Sequence, residues 1–322
     1  MKIFLSSVMC FVVATCARGA APMVKTQPGF YRMMLGDFEI TALNDCVVAY
    51  PSATVTGATA EQIKSGLSEM RLTDPVEMSY NAFLINTGSK LILIDAGTGT
   101  KLDNVDGFRG CGRLPANLRA AGYDPSQVDE IYITHTGPDH DGGLMNGTTR
   151  AYPNALVRAA NSEVGRYIDP AIAASALAAA KNKTFFKTWF DFHSVIFDAY
   201  IKAGKFQGFD GDVTLSPGIR ALATPGHMPG HTSYIVESKG QRLIVMGDLV
   251  HWAAVQFAVP SASTAFDADP KAAADSRLRV MKMAADDNDW VAGSHISFPG
   301  IGHVRAADGR YFWIPANYTI PR

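Results

Sequence analysis

The fold class the sequence predicts is α/β, an αββα sandwich with two sheets inside and helices outside. Three observations carry it. Short apolar or alternating segments recur along the chain and read as strands. Helical patterns come between them, with hairpins mixed in. Each half of the chain runs from hairpin strands into helices, with no short-period repeat and no low-complexity linker.

The elements follow in order. Phe38 to Leu43 alternates apolar and polar residues as a strand does, and Asn44-Asp45 is expected to turn it. Asn81 to Thr87, Gly88-Ser89 and Lys90 to Ile94 read as strand, tight turn, strand. Leu91 to Ile94 is apolar throughout, which predicts burial on both faces. It ends in the small-residue loop Asp95-Ala96-Gly97-Thr98-Gly99. Arg113 to Ala121 is helical in pattern, with Gly122 as its stop. Val128 to Thr134 and Ala155 to Ala159 are further strands. Residues from about 163 to 205 form a helical insertion, rich in Ala and then in Phe and Trp. Ile219 to Ala223, Thr232 to Glu237 and Arg242 to Met246 are strands, with Lys239-Gly240 as a turn. Pro270 to Ala285 carries i,i+4 apolar positions and alanines, the pattern of an amphipathic helix. Trp290 to Ala292 and Tyr311 to Ile314 close the chain as strands.

The 322 residues are 47% hydrophobic, enough for a sizeable core. The net charge is −1 and no run of basic residues occurs, which argues against nucleic acid as a partner. The N-terminus has its own pattern. Met1-Lys2 is followed by a mostly apolar stretch from Ile3 to Ala17 and by small residues at Gly19, Ala20 and Ala21. That is the layout of a secretory signal peptide over residues 1–21, too short to span a bilayer. It leaves 22–322 as the folded domain of an exported protein, periplasmic or secreted, with no membrane span. Val13-Ala14-Thr15-Cys16 weakly resembles a lipoprotein box, but Thr15 fits poorly, so a lipid anchor at Cys16 is the second reading. Cys46 and Cys111 remain in the mature chain, where an oxidising compartment would allow them to pair, although their spacing does not require it. Neither has a CxxC or CxxH partner, which argues against a thiolate zinc site.

The histidines carry the chemistry. Seven of the eight fall in four clusters, each just after an apolar strand: His135 and His140, His227 and His231, His251, and His295 with His303. Strand-end loops are where α/β folds build their sites. His135, Asp139 and His140 bring two imidazoles and a carboxylate into one tight loop, a ligand set suited to zinc, manganese, iron or cobalt. Gly142-Gly143 would let the backbone turn sharply behind it. Pro225-Gly226 and Pro229-Gly230 frame His227, while Asp248 and His295 each follow a buried strand. Taken singly, a histidine after a strand is more often a hydrogen-bonded surface residue, and Asp139 or Asp248 a turn former. Their recurrence at separate strand ends is what points to a metal centre.

The first cluster resembles the HxHxDH signature of the metallo-β-lactamase-fold hydrolases, with His227, Asp248 and His295 in the order that family uses. The stretches 29–43, 127–135 and 297–303 resemble its methyl parathion hydrolase and dihydrocoumarin-lactonase branch. The resemblance implies two divalent metal ions, zinc being the expected ion. It places His135 and His227 on the first, Asp139, His140 and His295 on the second, and Asp248 between them. Asp248 and Asp139 would be the carboxylates at the reacting centre, and a metal-bound hydroxide the nucleophile. One position departs from the signature: the second histidine would stand at 137, where this chain has glycine. The first site should then be the weaker one. Three outcomes stay open: another residue or water fills the gap, one tightly bound metal suffices, or hydrolysis is lost. None of His231, His251 and His303 is assigned as a ligand: His231 is expected to support the site from behind and His303 to pack or hydrogen-bond, while for His251, three residues past Asp248, facing the pocket to bind substrate or replace the missing ligand is the second reading behind a structural one.

Phe185 to Phe192 holds five aromatics. Some should pack inward and others wall an apolar pocket, with Trp252 and Phe257 adding to it. Such a pocket suits a small apolar lactone or aryl ester, with a neutral phosphotriester as the alternative substrate. A binding protein with a degenerate metal site is the remaining reading. The sequence leaves a homodimer open.

Overall fold

The computed structural model describes residues 21, 23–24, 26–100, 108–179, 183–318 and 320. The predicted leader lies outside the described residues, apart from residue 21, and Cys10 and Cys16 lie outside them too. No helix among the described residues is long and apolar enough to cross a membrane.

Two seven-stranded sheets form the centre. The first takes its strands in chain order: β1 (Phe30–Leu35), β2 (Phe38–Tyr50), β3 (Val76–Asn86), β4 (Leu91–Ile94), β5 (Glu130–Tyr132), β6 (Leu156–Ala160) and β7 (Phe206–Phe209). The second does the same with β8 (Val213–Ser216), β9 (Ile219–Ala223), β10 (Thr232–Ser238), β11 (Gln241–Val245), β12 (Trp290–Ala292), β13 (Ile301–Ala307) and β14 (Arg310–Pro315). Pairing is parallel from β4 through β7 and between β11 and β12, where helices or long loops cross over, and antiparallel elsewhere. The helices are α1 (Ala60–Glu69), α2 (Leu114–Ala120), α3 (Asn161–Ile168), α4 (Pro170–Ala179), α5 (Lys183–Lys202), α6 (Ala253–Gln256) and α7 (Pro270–Asp286).

The layers are αββα as the sequence predicts. Ile40, Phe83, Ile92 and Tyr132 of the first sheet meet Ile219, Tyr234 and Leu243 of the second in a shared core. The outer face of the first sheet packs Leu43, Leu93 and Val157 on Leu118 of α2, Val164 of α3 and Phe197 of α5. The outer face of the second packs Ile235 and Ile244 on Val280 and Met281 of α7. In β4 the alternation is visible residue by residue: Leu91 and Leu93 face the helices, Ile92 and Ile94 the other sheet.

Several expectations need correction. β2 does not turn at Asn44-Asp45 but continues to Tyr50 through a bulge there. The bulge drives Asp45 inward to 1% exposure. Its carboxylate accepts hydrogen bonds from the backbone of Thr98 at 3.0 Å, Gly112 at 3.2 Å and Leu114 at 2.9 Å. A polar turn residue has become a buried anchor, because the loop amides need an acceptor away from water. Gly143 serves close approach rather than a sharp turn: a Cβ there would stand 1.9 Å from the carbonyl oxygen of Ala96. β1, β7, β8, β13 and α1 were not legible as elements. Cys46 and Cys111 are joined in a disulfide, which ties β2 to the loop before α2.

Candidate metal centre

The six predicted ligands converge from four strand ends onto one buried cluster. His135, Asp139 and His140 come from the loop after β5, His227 from the β9–β10 loop, Asp248 from the end of β11 and His295 from the end of β12. Asp248 sits at the middle. Its Oδ2 lies 3.8 Å from His135 Nε2, 3.4 Å from His227 Nε2 and 3.1 Å from His295 Nε2. Its Oδ1 lies 3.2 Å from His140 Nε2. Asp139 Oδ2 is 3.4 Å from both His140 and His295. His135, His227 and Asp248 form one group whose ligand atoms lie within 4.8 Å of one another, and Asp139, His140 and His295 form a second.

The loops are held by groups that sequence reasoning missed. His140 Nδ1 lies 2.8 Å from the Asp95 carboxylate, and Asp95 also accepts the backbone N–H of Thr134 at 2.8 Å. His227 Nδ1 is 2.9 Å from Asp267, and His295 Nδ1 is 3.3 Å from the carbonyl of Ser79. With Nδ1–H donating backwards, each Nε2 is left bare and aimed at the cluster. Glu163 of α3 accepts from Thr136 N–H at 3.3 Å and Gly230 N–H at 2.9 Å, clamping two ligand loops together. His231 supports the site as expected: its Nε2 accepts the backbone N–H of Asp248 at 3.0 Å and its Nδ1 faces Thr224. That nitrogen is therefore not free to ligate. His303 lies away from the cluster, its ring 3.9 Å from Trp290. The unclustered eighth histidine, His193 of α5, pairs with Asp141 at 2.7 Å behind the first ligand loop.

The chemistry of the cluster fits divalent cations. Among the described residues His140 Nε2 and Asp248 Oδ1 are both buried without a hydrogen-bond partner, although they face each other at 3.2 Å. Two polar atoms left so are costly unless a cation sits between them. Burial opposes ionisation of Asp248, yet His140, His295, His251 and His135 hold its carboxyl well below the usual carboxylate range. Burial also opposes the charged form of His140, but Asp248, Asp139 and Asp95 outweigh it and raise the imidazole well above its ordinary value. His295 is raised by Asp248 and Asp139 against the same burial cost. Burial and then the neighbouring His140 keep His135 neutral. The carboxylates thus demand positive charge at their centre, which metal ions would supply in place of protons.

Above the cluster lies a cavity of about 650 Å³. Tyr50, Tyr80, Phe108, Phe186, Trp189 and Phe266 are among its lining residues. The mixed role expected for the 185–192 segment holds: Phe186 and Trp189 line the cavity, whereas Phe192 packs on the helix-side core. Trp252 and Phe257 do not contribute. Trp252 is buried beside Val55 and Leu67, and Phe257 stacks on Trp313 at 5.4 Å. They pack instead in two separate apolar clusters, Trp252 with Val76 and Met78 of β3 and Phe257 with Val280 and Met281 of α7. Tyr50, Tyr80 and Phe266 gave no signal in sequence, being single aromatics on distant segments.

Comparison with known proteins agrees with this geometry. A family model described as the metallo-beta-lactamase superfamily matches residues 76–295. The chain belongs to that superfamily. It is 25% identical over 134 residues to an N-acyl homoserine lactonase of Bacillus cereus, covering 42% of this chain and 43% of the relative. A second such lactonase, from a Bacillus species, is 26% identical over 171 residues, 49% of this chain and 58% of the relative. The chain spans about half the length of the curated relatives it matches. Among solved structures, the hydrolase AbOPH in the beta lactamase superfamily is 33% identical with a TM-score of 0.85, over 92% of this chain and all of that one, 100%. AidC, a dizinc quorum-quenching lactonase in complex with a product, is 26% identical with a TM-score of 0.78, over 91% of this chain and 99% of that one.

Proposed function

We propose that the chain is a metal-dependent hydrolase that opens lactones bearing an apolar substituent. The observation that carries this is the convergence of His135, Asp139, His140, His227, Asp248 and His295 at the floor of an aromatic cavity. The relatives named as lactonases, one of them dizinc, support the lactone class and an ion pair.

A bound pair of divalent ions would polarise the ester carbonyl and lower the pKa of water at the centre. The chain's own residues do the rest. His135 and His227 would hold one ion, Asp139, His140 and His295 the other, and Asp248 both. Asp95, Asp267 and the Ser79 carbonyl fix the ring orientations. Phe186, Trp189 and Phe266 offer apolar surface to an acyl or aryl group and keep water from the reacting ester. Tyr80, in the wall beside His295, is raised far above the ordinary tyrosine value by burial and then by Asp139, so its hydroxyl stays a donor.

The test compares an N-acyl homoserine lactone, an aryl lactone and an aryl phosphotriester. Lactone opening that is lost on chelation and regained with zinc is the expected result. A higher kcat/KM on the phosphotriester would replace the substrate class. Metal-loaded protein that turns over none of the three would make it a binding protein with a degenerate centre.

A further inference from the structure

We propose that His251 is the third imidazole of the first metal position, standing in for the histidine that Gly137 cannot supply. The inference rests on reading the cluster as a two-ion centre. His251 follows Asp248 by three residues and is 6% exposed. Its backbone N–H donates to Gln256 Oε1 at 2.8 Å, and Gln256, fully buried, donates in turn to the carbonyl of Ala262. The side chain is therefore carried on a fixed loop. Its Nε2 stands 3.1 Å from Asp248 Oδ2, nearer than the Nε2 of either His135 or His227. Its ring centroid is 5.0 Å from that of His227 and 4.8 Å from that of His295, on which it stacks.

The distribution around Asp248 decides which position His251 completes. Asp248, His251 and His295 also form a close group, within 4.8 Å. However, His295 and His140 both reach Asp139 at 3.4 Å, and no contact of His251 with Asp139 accompanies theirs among the ion pairs of the described residues. His140, His295 and Asp139 make one set. His135, His227 and His251 share Asp248 Oδ2 with His295 and are the three imidazoles left once the Asp139 set is taken out. Each set then has three protein ligands plus the shared Asp248, so ligand number is balanced without residue 137. The space at 137 is itself closed: a Cβ there would lie 2.9 Å from His135 Nε2 and 3.0 Å from His140 Cδ2. The two rings have drawn together over the glycine, with centroids 4.1 Å apart.

The test measures zinc per chain and zinc affinity by chelator competition for the full chain, His251→Phe, His251→Asp, His227→Ala and the double variant His251→Phe/His227→Ala. Phe keeps the ring volume and removes the ligand, and Asp restores a ligand. The parent should hold two zinc ions. His251→Phe should keep one and bind the other at least 10- to 100-fold more weakly, since even loss of a ligand's supporting partner costs that much. His251→Asp should recover part of the loss. The double variant should still hold one ion, because both changes strike the same position. Cobalt-loaded His251→Phe should show a changed visible spectrum at one of two ions. A His251→Phe protein, folded by circular dichroism, that holds two zinc ions as tightly as the parent overturns the proposal and leaves the two-ion centre standing. A double variant that loses both ions places His251 with His295 and also overturns it. A parent that binds no zinc would instead remove the two-ion reading itself.

Discussion

His227 Nδ1 stands 2.9 Å from Asp267 Oδ1, and this pair sets which nitrogen of His227 faces Asp248. Asp267 is itself set by its neighbours. Burial pushes its carboxyl up, but His227, His251 and the backbone of Thr264 bring it down to about 2. Arg277 of α7 lies 3.7 Å from its other oxygen, and donates to the carbonyls of Pro260 at 2.8 Å and Ala262 at 2.6 Å. One helix thus braces the loop that orients His227, 40 residues earlier in the chain than Asp267.

Asp267→Ala should lower the affinity of the His227 position about 10- to 100-fold, because the imidazole loses its fixed tautomer and angle. Zinc competition with a chromophoric chelator measures it. An unchanged dissociation constant would remove Asp267 from the support of the site.

Asp248→Ala should abolish turnover and reduce metal content at both positions. Asp248 touches every imidazole of the cluster through one or the other oxygen, so its loss leaves two positively charged sites with no shared anion. Elemental analysis with a lactone assay checks it, and an active variant with full metal content would contradict the geometry.

Gly137→His restores the residue of the family signature, yet it should not raise metal content above the parent's. The new Cβ must displace His135 or His140, and His251 already stands 3.1 Å from Asp248 Oδ2. A lowered melting temperature with no gain in zinc is expected. Tighter zinc binding than in the parent would show that the position had been left short of a ligand.

Metal binding should release protons, and its stabilising effect should grow with pH. His140 and His295 are raised in the metal-free protein, so the protons they hold compete with zinc. A raised histidine adds stability to the metal-free fold that is fully present below its ordinary 6.5 and is lost as pH rises through the raised value. The lowered Asp248 adds stability present above its ordinary 3.8 and lost as pH falls through the lowered value. The metal-free protein keeps both contributions between 3.8 and 6.5. Zinc should therefore raise the melting temperature more at alkaline than at mildly acidic pH. An equal increment at both would argue against protonated His140 and His295.

Cys46→Ser should cost about 2–4 kcal/mol of stability, the usual value for a disulfide closing a long loop. The bridge spans 65 residues of sequence, and Cys111, Cys46, Tyr80 and Phe108 pack together at one side of the cavity. Chemical denaturation measures the loss, and metal content should be unchanged because neither sulfur reaches the cluster. A variant as stable as the parent would show that the surrounding packing alone holds the loop.

The sequence by itself determined the layers and picked out the six residues that converge at the candidate metal centre. β4, β9, β10, β11 and α7 were legible because each is a continuous apolar or periodic run bounded by turn residues, a local property. The six clustered His and Asp residues were legible because each sits near the end of such a run, in a short motif. Tertiary structure decided the rest. Asp45 looked like a turn residue until the bulge in β2 turned it onto the amides of Thr98, Gly112 and Leu114. Asp95, Glu163, His193 and Asp267 hold the loops of the candidate metal centre from segments tens of residues away, and no spacing in the chain announces a hydrogen bond between them. Trp252 and Phe257 lie next to Asp248 in sequence but turn away from the cavity, while Tyr50, Tyr80 and Phe266 line it from afar. The gap at Gly137 was plain in the sequence. That His251 stands 3.1 Å from Asp248 Oδ2 could be known only once two loops had been brought to the same strand end, since a side chain's partner depends on where the backbone takes it.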